Sequence, residues 1–184
     1  MRVGLLGGSF DPVHYGHLRA AQCALEAFGL EEVRLMPAHQ SPFKPPCVAA
    51  REHRRSMLDL AVAGNPSLRI ENCELEREAP SYTADTLRLL TRNEPGALFT
   101  LILGSDTARS LDAWREIEEI RRLARIGVLL RPLDSVADFP DAVRFEGLAI
   151  SSTSVRDCVK SGRSIRYLTP PAVCHYIEEK GLYK

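Results

Sequence analysis

The opening of the chain constrains its fold most. Val3 to Leu6 is a short apolar run stopped by Gly7-Gly8. From Gly16 to Phe28 the apolar residues Leu18, Ala21, Leu25 and Phe28 recur three to four apart, and Gly29 follows. Val33 to Met36 is a second apolar run, closed by Pro37. A short apolar run between turn residues reads as a strand buried on both faces, and the three-to-four spacing as an amphipathic helix. Strand, helix and strand within about 36 residues make a right-handed crossover, the unit that joins parallel strands.

The alternation continues to the end of the chain. Ala38 to Val48, with Pro42, Pro45 and Pro46, has no period and reads as a loop. Helical spacing over Arg51–Ala63, a strand over Leu68–Leu75 and a helix from Ser81 to about Arg92 come next. Leu98–Leu103 is a strong strand ended by Gly104, with the helix-start residues Ser105-Asp106 behind it. Strands over Arg125–Leu130 and Val143–Ile150 precede two helices, one through Val155, Cys158 and Val159 and one over Pro170–Lys180. The pattern predicts an α/β fold, a Rossmann-like open and mostly parallel sheet with helices on both faces, formed by residues 1–184 as a single domain. Such sheets bind ligands beyond the carboxyl ends of their strands.

Composition narrows the partners. The 184 residues carry 24 Lys plus Arg and 24 Asp plus Glu, so there is no net charge. A chain that coats nucleic acid or an anionic membrane would carry a basic excess. Small molecules or proteins are the expected partners. The five cysteines, at 23, 47, 73, 158 and 174, include no C-x-x-C pair and are expected to be reduced. No window approaches the ~18 apolar residues of a membrane span, and the first residues are too short an apolar stretch for a signal peptide, so the cytoplasm is expected.

The chemistry concentrates after the first strand, in Gly7-Gly8-Ser9-Phe10-Asp11-Pro12-Val13-His14-Tyr15-Gly16-His17. Glycines let backbone approach a ligand, a helix N-terminus offers unpaired N–H groups, and imidazoles can donate to phosphate oxygens. This is an anion site in outline. Bound phosphate would raise the pKa of both histidines. A dinucleotide fingerprint fails on spacing, since Gly4, Gly7 and Gly8 do not make G-x-G-x-x-G, and no phosphate-loop G-K-[ST] occurs. A zinc pair lacks a third ligand of matching spacing. Asp11 suits a brace of the turn better than a metal ligand. The arginines at 51, 54, 55, 121, 122 and 125 read as solvated helix faces.

Gly7 to His17 resembles the G-G-x-F-D-P-x-H-x-G-H signature of the H-x-G-H nucleotidyltransferase superfamily, and in its two-glycine form that of the nicotinate mononucleotide adenylyltransferases. Ile150-Ser151-Ser152-Thr153-Ser154-Val155-Arg156 is similar to the I-S-S-T-x-x-R signature of the same family, about 135 residues further on. Ser81-Tyr82-Thr83-Ala84-Asp85-Thr86-Leu87 resembles its Y-T-x-D-T-L, and Gly104-Ser105-Asp106 with Trp114 its G-[AS]-D…W. One departure is Pro42-Phe43-Lys44, where the family often shows P-H-K.

The resemblance implies adenylyl transfer from ATP to nicotinate mononucleotide, giving nicotinate adenine dinucleotide and pyrophosphate in NAD biosynthesis. It implies catalytic roles for His14, His17 and Arg156. ATP would be held by Gly7, Gly8, Ser9, Phe10, Lys44, Asp106, Ile150, Ser151, Ser152 and Thr153 besides those three. The acceptor would meet Tyr82, Thr83, Asp85, Thr86, Gly104, Ser105 and Trp114. Magnesium is expected to arrive with ATP, held by phosphates and water and not by a protein metal site. Nicotinamide mononucleotide as acceptor, adenylyl transfer to phosphopantetheine, cytidylyl transfer to an alcohol phosphate, and a nucleotide-binding regulator without turnover are the competing readings. The state of assembly is open, a homo-oligomer included.

Overall fold

The structure, a computed structural model, describes residues 1–42, 45–130, 139 and 142–184. In chain order these form β1 (Arg2–Gly8), α1 (Tyr15–Ala27), β2 (Glu32–Pro37), α2 (Arg51–Val62), β3 (Leu68–Ile70), α3 (Thr83–Asn93), β4 (Leu98–Gly104) and α4 (Ser105–Ala108). A 3-10 turn at Leu111–Ala113 leads to α5 (Ile117–Leu123), β5 (Ala124–Leu130), β6 (Val143–Arg144), α6 (Ser152–Lys160) and α7 (Pro171–Glu179). The strands make one sheet in the order β3-β2-β1-β4-β5-β6, and every neighbouring pair is parallel. The chain therefore adopts the open α/β sheet expected of it.

The period of two along each strand sorts the core onto two faces. Val3, Leu5, Phe99, Leu101 and Leu103 point to one side, where Ala84, Leu87 and Leu90 of α3 and Ile120 of α5 cover them. Val33, Leu35 and Ile102 point to the other, under Ala21 and Ala24 of α1, Met57 and Leu58 of α2, Val155 of α6 and Val173 and Ile177 of α7. Helices thus lie on both faces. The register aligns Val3 with Phe99 and Leu5 with Leu101, so each layer stacks like on like across the sheet.

Two strands are shorter than the sequence predicts. Leu68–Leu75 keeps only Leu68–Ile70, because the chain turns at Asn72, whose carbonyl accepts from the Leu75 N–H at 2.8 Å. Val143–Ile150 keeps only Val143–Arg144. Beyond it the Gly147 N–H donates to the Phe145 carbonyl at 2.9 Å and the Ile150 N–H to the Leu148 carbonyl at 2.8 Å. Bonds between residues two apart are γ-turns, which curl a chain out of the ladder. The curl carries Ile150 toward α1.

The order of strands reverses between β1 and β4, one branch running to β3 and the other to β6. At that reversal the crossovers leave on opposite faces, and a crevice opens beyond the carboxyl ends.

Candidate active site

Beyond the carboxyl ends of β1, β2 and β4 lies a cavity of about 350 Å³. Gly7, Gly8 and Ser9 form its wall at β1, Met36 and Ala38 at β2, and Gly104, Asp106 and Thr107 at β4. Tyr82, Thr83, Trp114, Arg115 and the buried Glu74 close it. Residues 7–9, 82–83, 104, 106 and 114, expected at the site from sequence, meet here. Over the Tyr82 ring sits the Arg115 guanidinium, 4.6 Å from the centroid, a cation–π contact.

Other expected acceptor residues do not line this cavity. Thr86 is fully buried, and its hydroxyl donates to Glu74 Oε1 at 2.7 Å. Ser105 is fully buried as well. Asp85 accepts from Arg88 Nη1 at 3.0 Å, one turn along α3. Thr86 and Ser105 back the wall, Asp85 pairs at the surface, and none of the three lines the cavity. Burial pushes the Glu74 carboxyl above the ordinary range, against hydrogen bonds from Thr86 and Ser81 and the charge of Arg77.

The turn after β1 is built from close approaches. Phe10 lies in the left-handed region with φ 47° and is 1% exposed. Its ring covers Gly8, where a Cβ would come within 3.0 Å of the ring edge. His14 is the N-cap of α1, and its ring folds over Gly16, where a Cβ would meet His14 Nδ1 at 2.9 Å. A Cβ at Gly16 would force the His14 ring to shift, and one at Gly8 would press on the Phe10 ring. The His14 and His17 rings stack with centroids 3.7 Å apart, and Phe10 meets His17 edge-on at 4.8 Å. The His14 backbone N–H donates to His17 Nδ1 at 3.3 Å. Nδ1 therefore bears no proton, and in the neutral ring Nε2 is the donor.

Burial pushes the His14 imidazole down to about 4, since desolvation penalises the charged ring. Its Nδ1 is buried with no hydrogen-bond partner among the described residues. The sequence expectation of raised histidine pKa values applies with phosphate bound; the protein alone holds His14 neutral. In the unfolded chain the group titrates near 6.5. Between those values the unfolded state holds the extra proton, so stability is full above pH 6.5 and is lost as pH falls toward 4. The loss is about 3 kcal/mol for a separation of this size. Urea unfolding from about pH 7 to about pH 4.5 should show it, and His14→Gln should flatten that part of the profile. An unchanged slope in the variant would assign the loss to another group.

The late signature reaches this turn from the far end of the chain. Ser151 caps α6, its hydroxyl accepting from the Ser154 N–H at 3.0 Å. The Ser152 hydroxyl donates to the Pro12 carbonyl at 2.9 Å, and Arg156 Nη1 to the Asp11 carbonyl at 2.7 Å. Arg156 Nη2 also reaches Thr153 Oγ1 at 3.3 Å. The Ile150 carbonyl lies 3.4 Å from the place a Gly16 Cβ would take. The N-termini of α1 and α6 thus converge on one turn, and two helix starts with an arginine between them favour a polyanion. Lys44 and Phe43 lie outside the described residues.

Asp11 braces the turn, as expected. Its carboxylate accepts from the Val48 N–H at 2.6 Å, the Ala49 N–H at 3.1 Å and the Tyr183 hydroxyl at 2.7 Å. Among the described residues no three His, Cys, Asp or Glu side chains converge as metal ligands do.

Residues 5–158 match the cytidylyltransferase-like family model. A relative from Geobacillus kaustophilus, bearing the name "probable nicotinate-nucleotide adenylyltransferase", is 43% identical over 185 residues, covering 99% of this chain and 86% of its own. A Roseiflexus relative of the same name is 44% identical over 195 residues, covering 99% and 98%. The chain belongs to the nicotinate-nucleotide adenylyltransferase family. The fold agrees with a solved family structure, the Plasmodium falciparum nicotinic acid mononucleotide adenylyltransferase complexed with NaAD. Its TM-score is 0.80 at 21% identity, and the match covers 99% of this chain and 97% of that one.

Within this family member, Arg54 also departs from its sequence reading. The charge pattern puts Arg54 on a solvated helix face. It is instead 1% exposed, and its guanidinium donates to the carbonyls of Ser9, Ala38 and His39. Helical spacing is the available signal: Arg54 stands three and four positions before the buried Met57 and Leu58, on their face of α2. A charged residue on an apolar stripe marks burial with partners.

Proposed function

We propose that the chain transfers the adenylyl group of ATP, taken as its magnesium complex, to nicotinate mononucleotide. The products are nicotinate adenine dinucleotide and pyrophosphate, a step of NAD biosynthesis. The observation that carries this reading is continuity. The Gly8–Ser9 backbone belongs both to the turn where two helix N-termini converge and to the wall of an aromatic cavity.

An acceptor phosphate oxygen attacks the α-phosphorus of ATP, and the bond from that phosphorus to the bridging oxygen of pyrophosphate breaks. The acceptor phosphate is already anionic near neutral pH, so no general base is needed. Alignment and neutralisation of charge supply the catalysis. His17 Nε2–H and the neutral His14 would donate to phosphate oxygens. Ser152, Thr153 and Arg156 would hold the β- and γ-phosphates, with Gly7, Gly8, Ser9, Phe10, Ile150, Ser151 and Asp106 completing the nucleotide site and Lys44 also meeting phosphate. Magnesium would come with ATP, held by phosphate oxygens, in keeping with an Asp11 carboxylate already committed to three donors. Trp114 and Tyr82 suit the flat face of a pyridine ring, and Thr83, Gly104 and the backbone start of α3 suit its carboxylate. Thr86 and Ser105 would act through the wall they support, and Asp85 through its pair with Arg88. We place the activity in the cytoplasm, as the sequence leads one to expect. No helix among the described residues is long and apolar enough to cross a membrane.

The test is pyrophosphate release from ATP and magnesium with nicotinate mononucleotide or nicotinamide mononucleotide as acceptor. Strong preference for the acid is expected. Equal use of both would overturn the acceptor assignment, and release with neither would overturn the activity.

A further inference from the structure

The sequence assigns Arg54 no role, and nothing in the reaction proposed above uses it. Its surroundings are unusual for a surface helix. Arg51 and Arg55, its neighbours on α2, pair outward with Glu52 at 2.9 Å and Asp59 at 3.2 Å. Arg54 turns inward and is 1% exposed. Nη1 donates to the Ser9 carbonyl at 2.8 Å and the Ala38 carbonyl at 2.7 Å, and Nη2 to the His39 carbonyl at 3.2 Å. Nε is buried with no partner among the described residues. All three partners are neutral carbonyls, and among the described residues no carboxylate pairs with it.

A buried guanidinium held by carbonyls alone keeps its full positive charge in a medium of low dielectric, which is costly for the protein by itself. Its field is screened little there. Anion binding at the adjoining turn would offset that cost.

The geometry adds a second effect. β1 and β2 are neighbours, with Gly8 opposite Pro37 at their carboxyl ends. Ser9 and Ala38 are the residues just past those ends, so one planar fork ties the two strand exits together. The peptide from Ser9 to Phe10 is trans, and in a trans peptide the N–H points opposite to the C=O. Drawing the Ser9 carbonyl onto Arg54 turns the Phe10 N–H to the other side of the turn.

We infer that Arg54 is a positioning residue for the phosphate-binding turn, aiming the backbone after Gly8 and supplying a fixed positive charge behind it. The inference rests on the reading of that turn as the ATP site. Lysine would keep the charge but is a point donor that cannot span three carbonyls in one plane. Methionine would keep the buried stem without charge or donors.

The experiment measures magnesium-ATP affinity by calorimetry, which needs no turnover, together with kcat and the unfolding midpoint of wild type, Arg54→Met and Arg54→Lys. All are assayed well below each midpoint. Arg54→Met should bind ATP about tenfold more weakly and lose about 10²-fold in kcat, the cost of a misaligned reacting group. Arg54→Lys should recover ATP affinity to within about threefold while kcat stays about tenfold low, because charge returns without the fork. A purely structural role predicts a lower midpoint with unchanged affinity and kcat in both variants, and that result would overturn the inference. Should Arg54→Met not fold, wild-type kcat in Arg54→Lys would overturn it just as well. If wild type binds ATP yet transfers to neither acceptor, the proposed activity fails while the affinity comparison still decides on Arg54.

Discussion

Replacing His17 with alanine should leave the chain folded and lower adenylyl transfer about 10²- to 10³-fold, the usual loss when one preorganised donor to developing phosphate charge is removed. His17 is half-buried, and its ring is fixed from three directions. Nδ1 accepts from the His14 N–H at 3.3 Å, the His14 ring stacks at 3.7 Å and Phe10 closes the edge at 4.8 Å. A donor so held costs little to organise when the reaction begins. The loss should fall on kcat, with ATP affinity changed by only a few-fold, because a donor matched to the transition state adds little to ground-state binding. Initial rates against ATP at saturating acceptor, with an unfolding curve to show that the fold is intact, would check this. Turnover near that of wild type would remove His17 from catalysis.

Asp11→Ala should be the most destabilising single change at the turn, by about 3–5 kcal/mol, because it strands two buried donors and a part-buried one, each buried donor costing about 1–3 kcal/mol when left unmade. Asp11 is 3% exposed and ties together parts of the chain that are remote in sequence. Val48 and Ala49 lie in the loop leading to α2, and Tyr183 is the residue before the last. In a chain of this size each kcal/mol moves the thermal midpoint by about 2–4 °C, so a fall of about 6–20 °C is expected. Asp11→Asn keeps one acceptor oxygen and should recover part of the loss. Tyr183→Phe removes a single hydrogen bond and should cost about 1.5–3 kcal/mol, as bonds to a charged acceptor do. Urea unfolding of the three variants at neutral pH separates these outcomes. A loss below about 1 kcal/mol for Asp11→Ala would mean that the loop and the C-terminal residues find other acceptors.

The contrast between these two residues shows how the site is written into the chain. His14, Gly16 and His17 act within one helix start, where spacing alone fixes the geometry. A residue three places into a helix faces the cap, and the position between them must be glycine because a ring lies over it. The His14 ring over Gly16 shows only in the structure, whereas the spacing of the two histidines at a helix start is legible from sequence. So is the alternation that produces the parallel sheet, since periods of two and of three to four depend on backbone geometry and apolar content and on nothing remote.

Other features depend on where the crossovers put distant segments. Thr86 stands in a nucleotide-related signature, yet its hydroxyl serves Glu74 inside the wall. The third strand stops at Ile70 because the chain turns around Asn72, and the sixth is shortened by γ-turns, although both segments carry strand-forming residues. Local apolar content promises a strand, but a ladder needs a partner alongside.

By itself the sequence determined the class of fold, the strand–helix rhythm and the glycine- and histidine-rich turn after the first strand, because each follows from residues close in the chain. Only the tertiary structure decided that the Ser152 hydroxyl meets the Pro12 carbonyl and Arg156 the Asp11 carbonyl. It alone decided that Tyr183 closes on Asp11 and that Arg54 turns inward under Ser9. Those contacts join segments whose separation in sequence carries no signal of their meeting. They form because burial of two apolar faces folds the helices onto one sheet, and the sheet brings its strand ends to one crevice.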